Sequence, residues 1–167
     1  MKFNKQKIQE IKDYIQDHPD AKIFIGGDSQ KISNKKRKKL KIKEKTARFV
    51  TCVVVYEKDN NKIFFDVSKE RDIDVIPGKP FNRMMNETYK VADITLKLMD
   101  VLIERDFEIH LDISKKEFNG SHCAMAAAIG YIWGVVGIEP VLKPDSWVAS
   151  TVADHIVKNN KEVLNYK

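Results

Sequence analysis

Hydrophobic and polar positions along this chain change period several times, and each change marks an element. Over residues 4–17, Ile8, Ile11 and Ile15 recur at three- and four-residue intervals, one stripe of a short helix that Pro19 stops. This helix reads as an N-terminal addition. The run KIFIG at 22–26 is apolar and ends in Gly26-Gly27, a central strand opening into a tight turn at Asp28. Residues 48–56 (RFVTCVVVY) are rich in β-branched and aromatic side chains, and KIFFDV at 62–67, after Asp59-Asn60-Asn61, reads as their hairpin partner. Three antiparallel strands result.

The helical period takes over at 80–105, with Met84, Thr88, Val91, Thr95, Leu98 and Leu102 along one face and Asn86, Lys90, Asp93, Lys97 and Glu104 marking the outer face. FEIHLDI at 107–113 is again a strand. A polar loop leads to a helix over 121–136 whose Ala and Gly content permits close packing on a sheet. Residues 138–142 form a fifth strand, and Pro144-Asp145-Ser146 introduces a last helix over 146–158. A hairpin group followed by βαβ-like alternation predicts an α/β fold, a mixed sheet with helices on both faces.

A length of 167 residues suits one domain with one core. The net charge of +6 conceals its distribution: ten basic residues and one acid lie between Lys31 and Arg48, a net of +9, and the remaining 20 basic and 23 acidic residues leave −3. The partner implied by such a segment is polyanionic, and nucleic acid, RNA or DNA, fits it. Lys35, Lys36, Arg37, Lys38, Lys39, Lys41 and Lys43 are its candidate phosphate contacts. They would hold backbone rather than read sequence, because no aromatic residue appears before Phe49. No apolar run approaches the roughly 20 residues that span a bilayer, and no signal-peptide core follows Met1, so no membrane partner and a cytoplasmic location are expected. Cys52 and Cys123 lack zinc-type spacing and read as buried free thiols.

Four acids sit where the pattern calls for something apolar. Asp28 ends the first strand at a glycine pair, where a ligand can approach the backbone, although a turn residue explains it too. Asp112 interrupts the apolar strand FEIHLDI, and a lone buried carboxylate costs several kcal/mol unless paired or metal-bound. Glu87 lies four, seven and eleven residues before Val91, Ile94 and Leu98, hence on the inner side or the boundary of the long helix, whereas Asp93 reads as solvated. Asp154, in VADHI, is half-buried or on the surface. If the four converge, they form an oxygen-rich site for Mg²⁺ or Mn²⁺, with room for two ions about 4 Å apart in the arrangement that promotes in-line phosphodiester hydrolysis.

The order of elements resembles the ribonuclease H-like fold: three antiparallel strands, a helix, a strand, a helix, a strand and a final helix. IGGDSQ, IHLDIS and KPDSWVASTVADHI resemble more specifically the YkuK family of that superfamily, a group of small bacterial and phage proteins, over about residues 20–160. The resemblance implies a single domain with a five-stranded mixed sheet, the last two strands parallel. It also implies a divalent-metal-dependent nuclease whose catalytic acids and metal ligands are Asp28, Glu87, Asp112 and Asp154. Asp145 competes with Asp154 for the fourth place, although before a helix it is more simply an N-cap. In cellular ribonucleases H the first two strands meet in a tight hairpin, whereas here about 16 mostly basic residues intervene.

Accessory candidates surround these acids. His110, two residues from Asp112 on the same strand face, is a proton carrier or a hydrogen-bonded buried histidine. His122 starts a helix beside the loop after Asp112, where enzymes of this fold place substrate-handling groups. Ser29 and Gln30 orient a phosphate or a water, or stabilise a turn. Trp147 reads as packing, and Phe64 and Phe65 point to opposite faces of their strand. The rival reading is a nucleic-acid-binding or protein-interaction module without catalysis, in which the acids are too far apart to share a cation. The Gly-Gly-Asp turn also resembles the phosphate hairpin of actin-like ATPases, but one domain of this size lacks their second lobe.

Overall fold

A computed structural model of the chain describes residues 3–32, 45–58 and 60–159. Helix α1 (Lys5–Asp17) starts at Asn4, whose side chain accepts the Lys7 N–H at 2.8 Å. Strands β1 (Lys22–Ile32), β2 (Thr46–Glu57) and β3 (Asn60–Arg71) follow, then helix α2 (Phe81–Leu102) and strand β4 (Phe107–Ser114). A 3₁₀ turn (Gly120–Ala124) leads into α3 (Met125–Val136), the three-residue strand β5 (Val141–Lys143), a π-helical turn (Val148–Ala153) and the short helix α4 (Asp154–Lys158). The strand order is β3-β2-β1-β4-β5, antiparallel across β3-β2-β1 and parallel across β1-β4-β5. This is the five-stranded mixed sheet that the hydrophobic pattern predicts.

Alternation along the strands divides the interior into two layers. Ile23 and Ile25 of β1 and Ile109, Leu111 and Ile113 of β4 face one core, which is closed by Ile11 and Ile15 of α1 and by Val91, Ile94 and Leu98 of α2. Phe24, Val50, Cys52 and Val54 face the other, under Val148, Ala153, Ile156 and Val157. Helix α1 is tied into the first layer by Arg105, whose guanidinium donates to the carbonyls of Ile15, His18 and Ala21 at 2.8, 2.5 and 3.1 Å.

Several expectations are corrected. The chain makes no tight turn at Asp28, because β1 continues to Ile32 and Asp28 pairs with Val50. The glycine pair instead permits close packing: a Cβ on Gly26 would lie 2.9 Å from Val148 Cγ1, and one on Gly27 3.0 Å from Val91 Cγ2. Helix α3 packs chiefly on α2, and a Cβ on Gly130 or Gly134 would meet nothing within 4 Å. Asn86 and Lys90 are half-buried because Glu70 of β3 binds both, whereas Asp93 is exposed beside Lys97. Cys52 is buried but Cys123 is exposed. Phe64 is buried and Phe65 partly so. Trp147, 37% exposed, packs edge-on to Phe24 and His110.

Candidate active site

Strands β1 and β4 run parallel and stay paired only as far as Gly27 and Leu111. Asp28 and Asp112 are the next residues on each strand, so both stand where the two central strands part at their carboxyl ends. Crevices at such positions are where open α/β sheets bind ligands. A cleft of about 600 Å³ opens there, and Asp28, Asp112 and Asp154 line it. Alternation directs Asp28 and Asp112 to the face covered by residues 148–158, which brings Asp154 to the same wall. Ser29 points the opposite way, toward α2.

Each acid has a distinct environment. Asp28 is 6% exposed, and its Oδ1 accepts the Ser29 N–H at 2.7 Å. Burial, then the charges of Asp112 and Asp154, push its carboxyl up to about 7, against the Ser29 N–H and the Lys143 ammonium, which favour the charged form. Glu87 is 3% exposed and does not line the cleft. It accepts the Ser29 hydroxyl, and burial, followed by the charges of Asp28 and Asp112, raises its pKa well above the ordinary glutamate value. Asp112 accepts Lys143 Nζ at 2.7 Å, and Asp154 accepts Lys158 Nζ at 2.6 Å.

Three of the four acids therefore share one cleft wall, and the fourth stands behind Ser29, close enough for its charge to be felt. Their oxygen chemistry suits a hard divalent cation. In this arrangement, however, two of the four are bonded to lysines and one to a serine. Among the described residues no group of three or more His, Cys, Asp or Glu is gathered closely enough to hold a metal ion. The set does not form a ready cage for two ions.

The other candidates divide. Ser29 lines the cleft, and its hydroxyl links Arg83 to Glu87: Arg83 Nη1 donates to Ser29 O and Oγ at 2.7 and 2.9 Å. Gln30 lines the cleft and is exposed. His110 is fully buried away from it, with Nε2 2.9 Å from Glu108 and Nδ1 accepting the Val148 N–H at 3.2 Å. Burial depresses its pKa, so it is a neutral structural histidine. His122 has its Nδ1 3.2 Å from the Ser114 carbonyl. Asp145 caps no helix: its carboxylate is 68% exposed and 3.8 Å from Lys115, and its carbonyl accepts the Trp147 N–H. It does not line the cleft, whereas Asp154 does. Lys35, Lys36, Arg37, Lys38, Lys39, Lys41 and Lys43 lie outside the described residues.

Two participants escape a reading for acids alone. Arg83 precedes Glu87 by one helical turn, so the spacing that turns Glu87 inward turns Arg83 to the same side. Lys143 ends β5 opposite Ser114, at the same sheet edge as Asp112. The rim of the cleft is further built by Lys79, Asn119 and Gly120; a Cβ on Gly120 would lie 2.2 Å from the Gly78 carbonyl oxygen.

A mixed five-stranded sheet in the order β3-β2-β1-β4-β5, with Asp28 and Asp112 where β1 and β4 part, is an α/β architecture of the ribonuclease H-like class. The chain belongs to the ribonuclease H-like family, whose model, described as "Ribonuclease H-like", matches residues 6–158. That match takes in all of α1 but its first residue. No curated protein and no solved structure gives a significant match. Among the described residues no helix is long and apolar enough to cross a membrane.

Proposed function

We propose that this protein is a divalent-metal-dependent nuclease that hydrolyses phosphodiester bonds of RNA or DNA, and that within its superfamily it belongs to the YkuK family. The family placement rests on IGGDSQ, IHLDIS and KPDSWVASTVADHI. The observation that carries the activity is the pairing of Asp28 and Asp112 directly past the last hydrogen-bonded residues of β1 and β4, in a cleft rimmed by cations. Asp28, Asp112 and Asp154 would hold the metal, Mg²⁺ or Mn²⁺, which when bound supplies charge neutralisation and water activation. Lys31, Lys79, Lys143 and Lys158 line the same cleft and attract a polyanionic strand. Arg83 fixes the Ser29 hydroxyl, which holds Glu87 in place behind the wall.

The test is cleavage of end-labelled RNA, DNA and RNA–DNA hybrid with Mn²⁺ and with chelator. Metal-dependent cleavage is expected, with Asp28→Asn and Asp112→Asn each lowering it by about a hundredfold or more while leaving the circular dichroism spectrum intact. Equal cleavage by both variants removes the assignment.

One observation favours a second reading, a nucleic-acid-binding or protein-interaction module without turnover. Among the described residues the acids do not gather into a metal-holding group. That reading expects salt-sensitive binding of the same oligonucleotides, no cleavage, and no effect of Mn²⁺.

A further inference from the structure

The cleft is charged inside and apolar along one side of its rim. Lys31, Lys79, Arg83, Lys143 and Lys158 outnumber the three acids on its lining. Two loops, residues 75–80 and 115–120, meet at that side, where a Cβ on Gly120 would lie 2.2 Å from the Gly78 carbonyl oxygen. Lys79, Asn119 and Gly120 of these loops line the cleft, and their neighbours Val75, Ile76 and Phe118 are 82%, 59% and 86% exposed.

Phe118 is the most exposed large apolar side chain among the described residues. Single exposed apolar residues are ordinary. This one is held out on a braced loop beside a cation. The Ser121 hydroxyl accepts the Ser114 N–H at 3.0 Å and donates to Asn119 Oδ1 at 3.0 Å. Within the loop, the Asn119 N–H donates to the Lys116 carbonyl at 3.0 Å, and the Lys116 N–H donates to Ser114 Oγ at 3.1 Å. Lys116 Nζ lies 5.8 Å from the centroid of the Phe118 ring.

An open aromatic ring next to an ammonium and a cationic cleft matches one kind of ligand, in which flat π-faces alternate with anions. A single nucleic-acid strand offers both, because its unpaired bases can stack on aromatic side chains while its phosphates meet lysines. A duplex keeps its base faces inside its own stack. We propose that Phe118 stacks on an unpaired base of a strand whose adjoining phosphates lie in the cleft. The inference rests on the nucleic-acid reading of the cleft and narrows the substrate to strands that are single at this point.

Fluorescence anisotropy of a labelled single strand, as DNA and as RNA, and of the blunt duplex of the same sequence tests it, with the full chain in chelator. Wild type is expected to bind the single strands more tightly than the duplex. Phe118→Ala should weaken single-strand binding by about tenfold or more and leave duplex binding unchanged, whereas Phe118→Trp should keep it. A loss with only one of the two strands supports the stacking and names the sugar that the cleft accepts. Unchanged single-strand affinity in Phe118→Ala overturns the proposal, as does an equal loss for the duplex or a Phe118→Trp variant as weak as the alanine. If wild type cleaves with Mn²⁺ and Phe118→Ala binds and cleaves as it does, the nuclease reading stands and this inference falls. If single strands bind through Phe118 without being cleaved, the inference stands and the nuclease reading falls. Absence of binding to every oligonucleotide overturns the two together.

Discussion

Asp28 is the residue on which the stability and the chemistry of the cleft meet. Its carboxyl, ordinarily near 3.8, is raised to about 7 by burial and by Asp112 and Asp154. Between those values the folded protein holds a proton that the unfolded chain has released. Its contribution to folding stability is therefore fully present below about pH 4, falls as pH rises, and is lost above about pH 7. Glu87, raised in the same direction, adds to the slope. Urea unfolding in chelator should show an Asp28-dependent decline on the order of 4 kcal/mol across that window. Asp28→Asn should flatten much of the decline and make the metal-free protein more stable at neutral pH. The two thiols offer a second check at this scale. Cys52 is buried and its thiol is pushed up to about 12, whereas Cys123 is exposed. A thiol reagent under native conditions should label Cys123 and spare Cys52 until the protein is unfolded.

At the scale of elements, the site depends on how closely the last helical segment lies on β1. A methyl group on Gly26 would lie 2.9 Å from Val148 Cγ1, 3.2 Å from the His110 carbonyl and 3.3 Å from the Ala149 nitrogen. Gly26→Ala should cost about 1–3 kcal/mol in urea unfolding. It should also displace Asp154 relative to Asp28, lowering Mn²⁺ affinity. Adding Val148→Ala should recover only part of the loss, because the two backbone contacts remain. This close approach also explains what could be read from the sequence and what could not. The strands and α2 were legible because their periods are long and unbroken, and Glu87 and Asp112 were placed by those same periods. Gly26-Gly27 was misread as a turn because a glycine needed for helix packing and one needed for a bend look alike locally. Asp145 follows proline and precedes a helix, as an N-cap does, but the chain enters a π-helical turn instead and its carboxylate points to solvent. Lys143 was not legible because its partner lies 31 positions away on a neighbouring strand, and only the parallel pairing of β4 with β5 joins them.

Across the whole molecule, charge is divided between a body of net −3 and a segment of net +9. Binding to single-stranded oligonucleotides should weaken steeply with salt. Replacing Lys35, Lys36, Lys38 and Lys39 together by Gln should reduce the log–log slope by about 3, from about 0.7 per lost contact. An unchanged slope would assign the binding to the cleft rim alone. The extension of β1 beyond the acids would set a length scale for the nucleic-acid substrate of the proposed nuclease. β1 and β2 stay paired as far as Ile32 and Thr46, four residues past Asp28, and β3 runs beside them to Arg71. Four residues of strand measure about 13 Å, or about four nucleotides at 3.4 Å each. On the nuclease reading proposed above, this three-stranded arm would serve as a ruler running from the position of Asp28. Cleavage of a series of oligonucleotides should become markedly less efficient once fewer than about four nucleotides remain on the arm side of the scissile bond.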